Sequence, residues 1–517
     1  MKDRLDRFAA GSERAAAALI LVLVLAFMLS LTAAAFFQTA DLSTNDASGE
    51  HIAFYADNVF LNMLMLALLL CALYLFYLHC DHIRLRRMEL LLMLWIFAAG
   101  TLFVASVKLR APYYSDSYMV TYAAQRAAAG DFSILMDPYF RRFPFQLGYV
   151  LYSELFFRIA SKVLAGLPEG YQWLALQEVN LLWLLLAYHA VLQAARLLFR
   201  RERTVKLTAM LLFFCFQPVF SVTFLYGNTP AFACGCSAVW LFLEYLDKRR
   251  AYMAVLTAVF LTAAVALKLN LLIFCVAIGG VWGIEILKKR SWRAAVGLLL
   301  AAVCVLTVSK LPQRLYEKRM EYDFGSGIPM IAWMAMGFDE GHAAPGWYKE
   351  DHTVTAFERS GRDPAATAEL AKEALQTRFA AFRAHPRHAL RFFWGKLRSQ
   401  WNEPTYGSLW LNQVHLSFSE KGAIYDFICG SSGAERRTTA FLNQVQQLVF
   451  LGMLLGCFGL WHKKSVRSCL LPLIVLGGLL YHLLFEAKSQ YALPYFVLML
   501  PVAAYGLTRL FRRIERR

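Results

Sequence analysis

Apolar runs of roughly 18–25 residues recur from one end of the chain to the other, each long enough to cross a ~30 Å hydrocarbon core. Short polar connectors and clusters of basic residues separate them. The pattern predicts an all-α polytopic membrane protein with about 11–13 transmembrane helices. The first run, AAAALILVLVLAFMLSLTAAAFF, follows a basic N-terminus and reads as an uncleaved span. A cleaved signal ending near Ala33–Ala35 is the alternative. Residues 38–53 are acidic (Asp41, Asp46, Glu50) and are expected outside. Further spans are expected over about 54–79 and 89–107, with Arg84, Arg86 and Arg87 between them on the cytoplasmic side.

Orientation follows from the remaining basic clusters. Arg200–Lys206, Lys248–Arg250, Lys288–Arg293, Lys463–Arg467 and the tail Arg509–Arg517 are all assigned to the cytoplasm, together with both termini. The stretches 109–146, 226–230, 268–270, 310–435 and 486–490 then fall outside. One segment conflicts with this scheme. Residues 144–168 and 171–199 both resemble spans, and two crossings would strand the 200–206 cluster on the wrong side. Either 144–168 dips in without crossing or the cluster breaks the rule; Glu154, Arg158 and Lys162 weaken the first segment as a lipid-facing span.

Four regions result: two N-terminal spans over 1–88, a membrane core over 89–309, an extracytoplasmic helical domain over 310–435, and C-terminal spans with a basic tail over 436–517. The 310–435 region is rich in tryptophan, as suits an interfacial cap, and its amphipathic stretch is expected to break near His385-Pro386.

Composition sharpens the class. Of 517 residues, 59% are hydrophobic and 17% charged, well away from the ~25% charge of a soluble domain. The net charge of +17 sits in the clusters at span ends, so it carries topology and not nucleic-acid binding. Nine of the ten cysteines lie in or beside apolar runs; Cys429 alone lies in a long polar region, so no disulfide framework is expected there. His342, His352, His385 and His388 lack metal-ligand spacing, and no phosphate loop, dinucleotide fingerprint or nucleophile elbow is present.

Candidate chemistry concentrates in the connector 109–146. Asp116 suits a general base or a metal ligand at the membrane boundary, but read from its neighbours alone it suits a helix N-cap better. Asp131 and Asp137 are further metal candidates, but Gly-Asp and Asp-Pro are also turn signals. Arg141 and Arg142 suit a phosphate or a lipid headgroup, since guanidinium offers paired donors. Farther along, Asn228 lies in the turn YGNTP. Lys268 and Asn270 interrupt an apolar stretch, where a lysine either snorkels or pairs with an anion. Glu486, Lys488 and Tyr491 precede the last span, as a plain loop or as headgroup ligands.

The order P-x-x-S-D-x-x-x-x-Y-x-x-A, then G-D, then Y-F-x-x-x-P-x-x-L-G, followed by YGNTP, K-x-N and E-x-K-x-x-Y, resembles the GT-C superfamily of multi-span glycosyltransferases. The branch it is most similar to is the bacterial protein O-mannosyltransferase-like one (glycosyltransferase family 39). The resemblance covers roughly 90–510 in layout. It implies transfer of a sugar from a polyprenyl-phosphate carrier to a cell-envelope glycan, lipid or protein acceptor on the extracytoplasmic side of the plasma membrane, with a divalent metal as an open question. Asp116 would then act as the base or acceptor-orienting acid. Arg141, Arg142, Gln146, Asn228, Lys268, Asn270, Glu486, Lys488 and Tyr491 would bind substrate. Two departures stand out: Ser117 follows Asp116 where the family often has a second acid, and Asn228 replaces an acid. The rival classes are a transporter or flippase of lipid-linked saccharides, which predicts charges along a central path and repeated halves, and a glycan polymerase or ligase.

Overall fold

The computed structural model describes residues 2–43, 49–108, 115–168, 170–414 and 421–516, with side chains described from 9 onward and excepting that of Ser115. Pro112, Tyr113, Tyr114 and Asp46 therefore lie outside the described residues. Among the described residues, ten helices are long and apolar enough to cross a membrane. The helix Ala251–Leu267 is equally apolar, but has only 17 residues. The polytopic all-α architecture is thus present, with one small addition: Gln38–Ser43 and His51–Ala56 pair as an antiparallel hairpin in the stretch expected to be an acidic connector.

Packing ties the ambiguous segment to its neighbours. Residues 147–163 form a helix, Leu147–Val163, that is not among the ten. It packs along the polar helix Ser115–Ala128. Its Glu154 carboxylate is buried and accepts hydrogen bonds from Arg158 Nε (2.9 Å), Arg319 Nη1 (3.2 Å) and the Tyr316 hydroxyl. A buried carboxylate needs such partners, and they tie the segment to the end of the span Trp292–Met320. The following helix, Gly170–Phe199, is one of the ten.

The basic clusters gather at one end of the bundle through shared acids. Arg200 and Arg467 both reach Asp247 (3.2 and 2.5 Å), and Arg203 reaches Asp81 and Glu515 (2.5 and 3.3 Å). Arg249 pairs with Glu285 (3.0 Å), and Lys288 with Glu13 (2.9 Å).

At the opposite end, residues 321–401 form a helical cap. The helices Pro364–Ala384 and Pro386–Trp401 meet at His385, where proline removes the N–H that would continue the ladder. Part of the 310–435 region packs into the bundle. Its segment 401–412 is buried among the spans: Trp401, Glu403, Tyr406 and Ser408 are inaccessible. Glu403 accepts from the backbone N–H of Thr405 (2.8 Å) and Gly407 (2.6 Å) and so folds this turn around itself.

The N-terminal spans are integrated too. Ser432–Trp461 carries a buried polar stripe. Gln447 donates to the Ala35 carbonyl (2.8 Å), Gln444 to Asn62 (2.7 Å) and Asn443 to Asp57 (3.2 Å). Interhelical bonds of this kind contribute about 1 kcal/mol each in a membrane setting.

Candidate active site

Between the cap and the bundle, at the end away from the basic clusters, lies a cavity of about 690 Å³. Two chain reversals and the start of a helix supply four of its charged groups, Lys268, Glu486, Lys488 and Asp116. The helix Ala251–Leu267 ends at Lys268, whose extended backbone breaks the run before Leu269. Phe485–Lys488 joins the helices Leu470–Leu484 and Ser489–Glu515. The helix Ser115–Ala128 brings in Asp116 at its first turn.

The cavity collects Asp116, Arg142, Gln146, Lys268, Asn270, Glu486, Lys488 and Tyr491. Lys268 Nζ stands 4.1 Å from the ring centre of Tyr226 and 5.7 Å from that of Tyr491. Two aromatic faces thus replace part of the ammonium's lost hydration. Burial nevertheless lowers Lys268 to about 8, against the pull of Asp116 and Glu486. Lys488 is ion-paired with Glu50 and lies 5.5 Å from the Trp410 ring. Burial opposes its charge, but Glu50 and Glu486 outweigh burial and hold it above the usual lysine range. Glu486 is pushed up to about 7, because burial outweighs the attraction of Lys488 and Lys268; it accepts from the Tyr491 hydroxyl at 3.3 Å.

Around Asp116 stand two phenols that sequence reasoning passed over, Tyr139 and Tyr226. Burial first, and the Asp116 carboxylate second, push both well above the usual tyrosine range, so both remain protonated donors. Tyr226 accepts a hydrogen bond from Gln146. Among the described residues the buried Tyr139 hydroxyl has no well-formed hydrogen bond, although it faces Asp116 and Tyr226 electrostatically. Asp116 itself is exposed to the cavity.

Other candidates lie elsewhere. Arg141 does not line the cavity. Asn228 opens the helix Asn228–Lys248 and lines an adjoining apolar pocket, which shares Lys268, Asn270 and Tyr491 with the main cavity. Asp131 accepts from the backbone N–H of Ser133 (2.9 Å) and is engaged by Arg126 Nε (2.9 Å); the Ser133 hydrogen bonds first, and Arg126 second, hold it down at about 2. Asp137 caps the short helix Pro138–Arg142 through the Tyr139 N–H (2.8 Å). Both therefore do the turn chemistry that Gly-Asp and Asp-Pro signal. Among the described residues, no group of three His, Cys, Asp or Glu side chains is placed to hold a metal ion.

The cap closes the opposite wall with Met330, Trp333, Tyr348, Glu350 and Val354. Arg142 joins the two sides: its guanidinium donates to Glu358 (2.7 Å), and its carbonyl accepts from Ile328 N–H (3.1 Å). Lys396 donates to the carbonyls of Gly337 and Phe485 (2.7 Å for the latter), and Ala487 N–H donates to the Gly346 carbonyl (2.8 Å). The loop bearing Glu486 and Lys488 is thus bolted to the cap from behind. Glu50, Tyr348 and Glu350 carry no local signal in the sequence; only the fold brings them to the cavity.

A family model described as "Conserved hypothetical integral membrane protein" matches residues 12–509. No curated protein matches the sequence. Among solved structures, the chain is similar to the archaeal oligosaccharyltransferase AglB from Archaeoglobus fulgidus in complex with an inhibitory peptide and a dolichol-phosphate, with 14% identity and a TM-score of 0.42. The match covers 82% of this chain and 51% of that one, so this chain spans about half the length of that protein. A likeness of that size does not establish a shared fold.

Proposed function

The chain belongs to this family of integral membrane proteins, and from that premise we propose that it is a GT-C-type membrane glycosyltransferase. It moves a sugar from a polyprenyl-phosphate donor to a cell-envelope acceptor, with the cavity on the extracytoplasmic side and both termini in the cytoplasm. The gathering of the basic clusters at the far end supports that orientation. The motif order P-x-x-S-D through E-x-K-x-x-Y supports the family 39-like branch.

The observation that carries the reading is the cavity itself. It sets the Asp116 carboxylate, with Glu50, Glu350 and Glu486, in the same space as the cations Lys268, Lys488 and Arg142, and it borders an apolar pocket among the spans. A phosphate-linked donor with a prenyl tail has matching chemistry: anionic at the headgroup, apolar behind it. In the proposed step the acceptor hydroxyl oxygen bonds to the anomeric carbon while the bond from that carbon to the phosphate oxygen breaks. Asp116 takes the hydroxyl proton, and the polyprenyl phosphate leaves with the bonding electron pair. The ammonium of Lys268 and its neighbours stabilises the negative charge that grows on the leaving phosphate. The apolar pocket with Asn228, Phe232 and Phe274 receives the first isoprene units.

The test is transfer of labelled sugar from polyprenyl-phosphate donors to membrane acceptors by purified protein, with wild type compared to Asp116→Asn. Loss of turnover by a factor of about 10²–10⁴ with donor binding retained is expected. Equal turnover in the two proteins would return Asp116 to a helix-capping role. Movement of lipid-linked sugar across vesicles without turnover would replace the enzyme by a transporter.

A further inference from the structure

At the opposite end of the molecule, where the spans Ser432–Trp461 and Ser489–Glu515 finish, a groove of about 340 Å³ opens between them. Its floor is apolar, with Leu455, Phe458 and Leu510, and its rim carries Trp461, His462, Arg509 and Arg513. Close helix packing makes the groove. Gly506 lies against the backbone of Gly452 and Gly456, where any Cβ would come within 2.4 Å of the facing atoms. Gly459 leaves the space across which Arg509 lies; a Cβ there would stand 2.8 Å from Arg509 Cδ. The Arg509 guanidinium is oriented by the Gly459 carbonyl and the Tyr505 hydroxyl, both at 3.4 Å.

Among the described residues, no acid pairs with the charge at this groove. Most basic clusters at this end contain an arginine or lysine that meets a carboxylate. Arg509, Arg513 and Lys463 make no ion pair with an acid among the described residues. Lys463 lies over the rings of Tyr505 and Phe199 (4.9 and 5.3 Å), and is held below the usual lysine range by burial and then by Arg201 and Arg509. Like charges brought together without a counter-charge favour a bound anion. The depth identifies its source. The groove begins in the last turns of two membrane-length helices and Phe458 is 57% exposed at its edge, so an occupant meets lipid-facing apolar surface below and cations above.

We propose that this groove is a binding site for one anionic phospholipid, its phosphate held by Arg509 and Arg513 and its upper acyl carbons lying over Leu455, Phe458 and Leu510. The site is independent of the sugar-transfer reading, since it lies at the other end of the bundle. Phosphatidylglycerol satisfies the chemistry, having a phosphate and no cation of its own; a zwitterionic lipid would bring its own cation to the same arginines.

The test is native mass spectrometry of the full chain in detergent, titrated with phosphatidylglycerol or phosphatidylcholine. A one-to-one phosphatidylglycerol adduct is expected, retained in preference to phosphatidylcholine. R509Q/R513Q is expected to weaken it about 30-fold, while R512Q/R516Q, which removes the same charge outside the groove, leaves it within about twofold. Arg513 is exposed and makes no hydrogen bond among the described residues, so R513Q alone, with about a fivefold loss, gives the reading if the double variant fails to fold. Equal losses in the two double variants, equal retention of the two lipids, or displacement of the lipid by soluble glycerol phosphate at similar concentration would each overturn the proposal.

Discussion

Glu50 and Lys488 form an ion pair in the cavity wall, linking the N-terminal hairpin to the loop that precedes the last helix. Only 15% and 17% of these side chains is exposed, so neither charge has full access to water. Removing one partner from such a pair leaves the other desolvated and costs about 3 kcal/mol. Glu50→Gln is therefore expected to lower the thermal midpoint in detergent and to weaken donor binding. A double-mutant cycle with Lys488→Met should show a coupling above about 1 kcal/mol. Strictly additive effects would mean that the two residues do not act together.

The cation at 268 predicts a pH dependence. Donor binding through the Lys268 ammonium should fade as pH rises through about 8, the value to which burial lowers it. In Lys268→Arg the same affinity should persist to higher pH, because guanidinium stays charged. Stability follows the opposite sign. Between about 8 and the ordinary 10.5, the unfolded chain binds a proton that the folded chain lacks, so this group makes stability rise with pH. Glu486, raised from 4.5 to about 7, makes stability fall as pH rises across that window, because the folded chain there holds the extra proton. Donor titrations and thermal melts over pH 5 to 10 check both directions; a flat donor affinity would remove Lys268 from phosphate binding.

Glu154 predicts a graded loss of stability. Its carboxylate is buried, with 1% of the side chain exposed, while Arg158 and Arg319 reach solvent. Glu154→Ala leaves the Tyr316 hydroxyl and both guanidiniums without their acceptor, with an expected cost of about 2 kcal/mol after allowance for solvent screening. Glu154→Gln keeps one acceptor for Tyr316 and should lose about half as much. Thermal unfolding of the two variants side by side tests the order, and an equal loss would contradict it.

Lys396 and Gly346 predict a structural effect on the site from behind it. Gly346 has φ +74°, and a Cβ there would lie 2.5 Å from Lys396 Cε. Gly346→Ala is expected to cost about 2 kcal/mol, through the left-handed backbone and the displaced lysine together. Lys396→Met removes the donor to the Gly337 and Phe485 carbonyls. Both changes should weaken donor binding, since the bolted loop carries Glu486 and Lys488. Unaltered donor affinity in a folded Lys396→Met protein would show that the loop holds its place without the bolt.

Hydropathy alone determined the membrane class, the long spans and the basic ends, because a crossing needs about 20 consecutive apolar residues and that demand is written locally. The break at His385-Pro386 was local for the same reason: a proline acts within its own turn. Other features were not local. Leu147–Val163 reads as a span by composition, and only the fold shows it packed along the helix Ser115–Ala128, with Glu154 tied to Tyr316 and Arg319. Three aspartates in one connector look alike in sequence, yet Arg126 engages Asp131, the Pro138–Arg142 helix uses Asp137 as its cap, and Asp116 alone faces the cavity. Glu50, Tyr348 and Glu350 reach that cavity from a hairpin and a cap that carry no motif. Such convergence joins residues hundreds of positions apart, through packing that no window along the chain contains, so the tertiary structure alone decided which charges share one space.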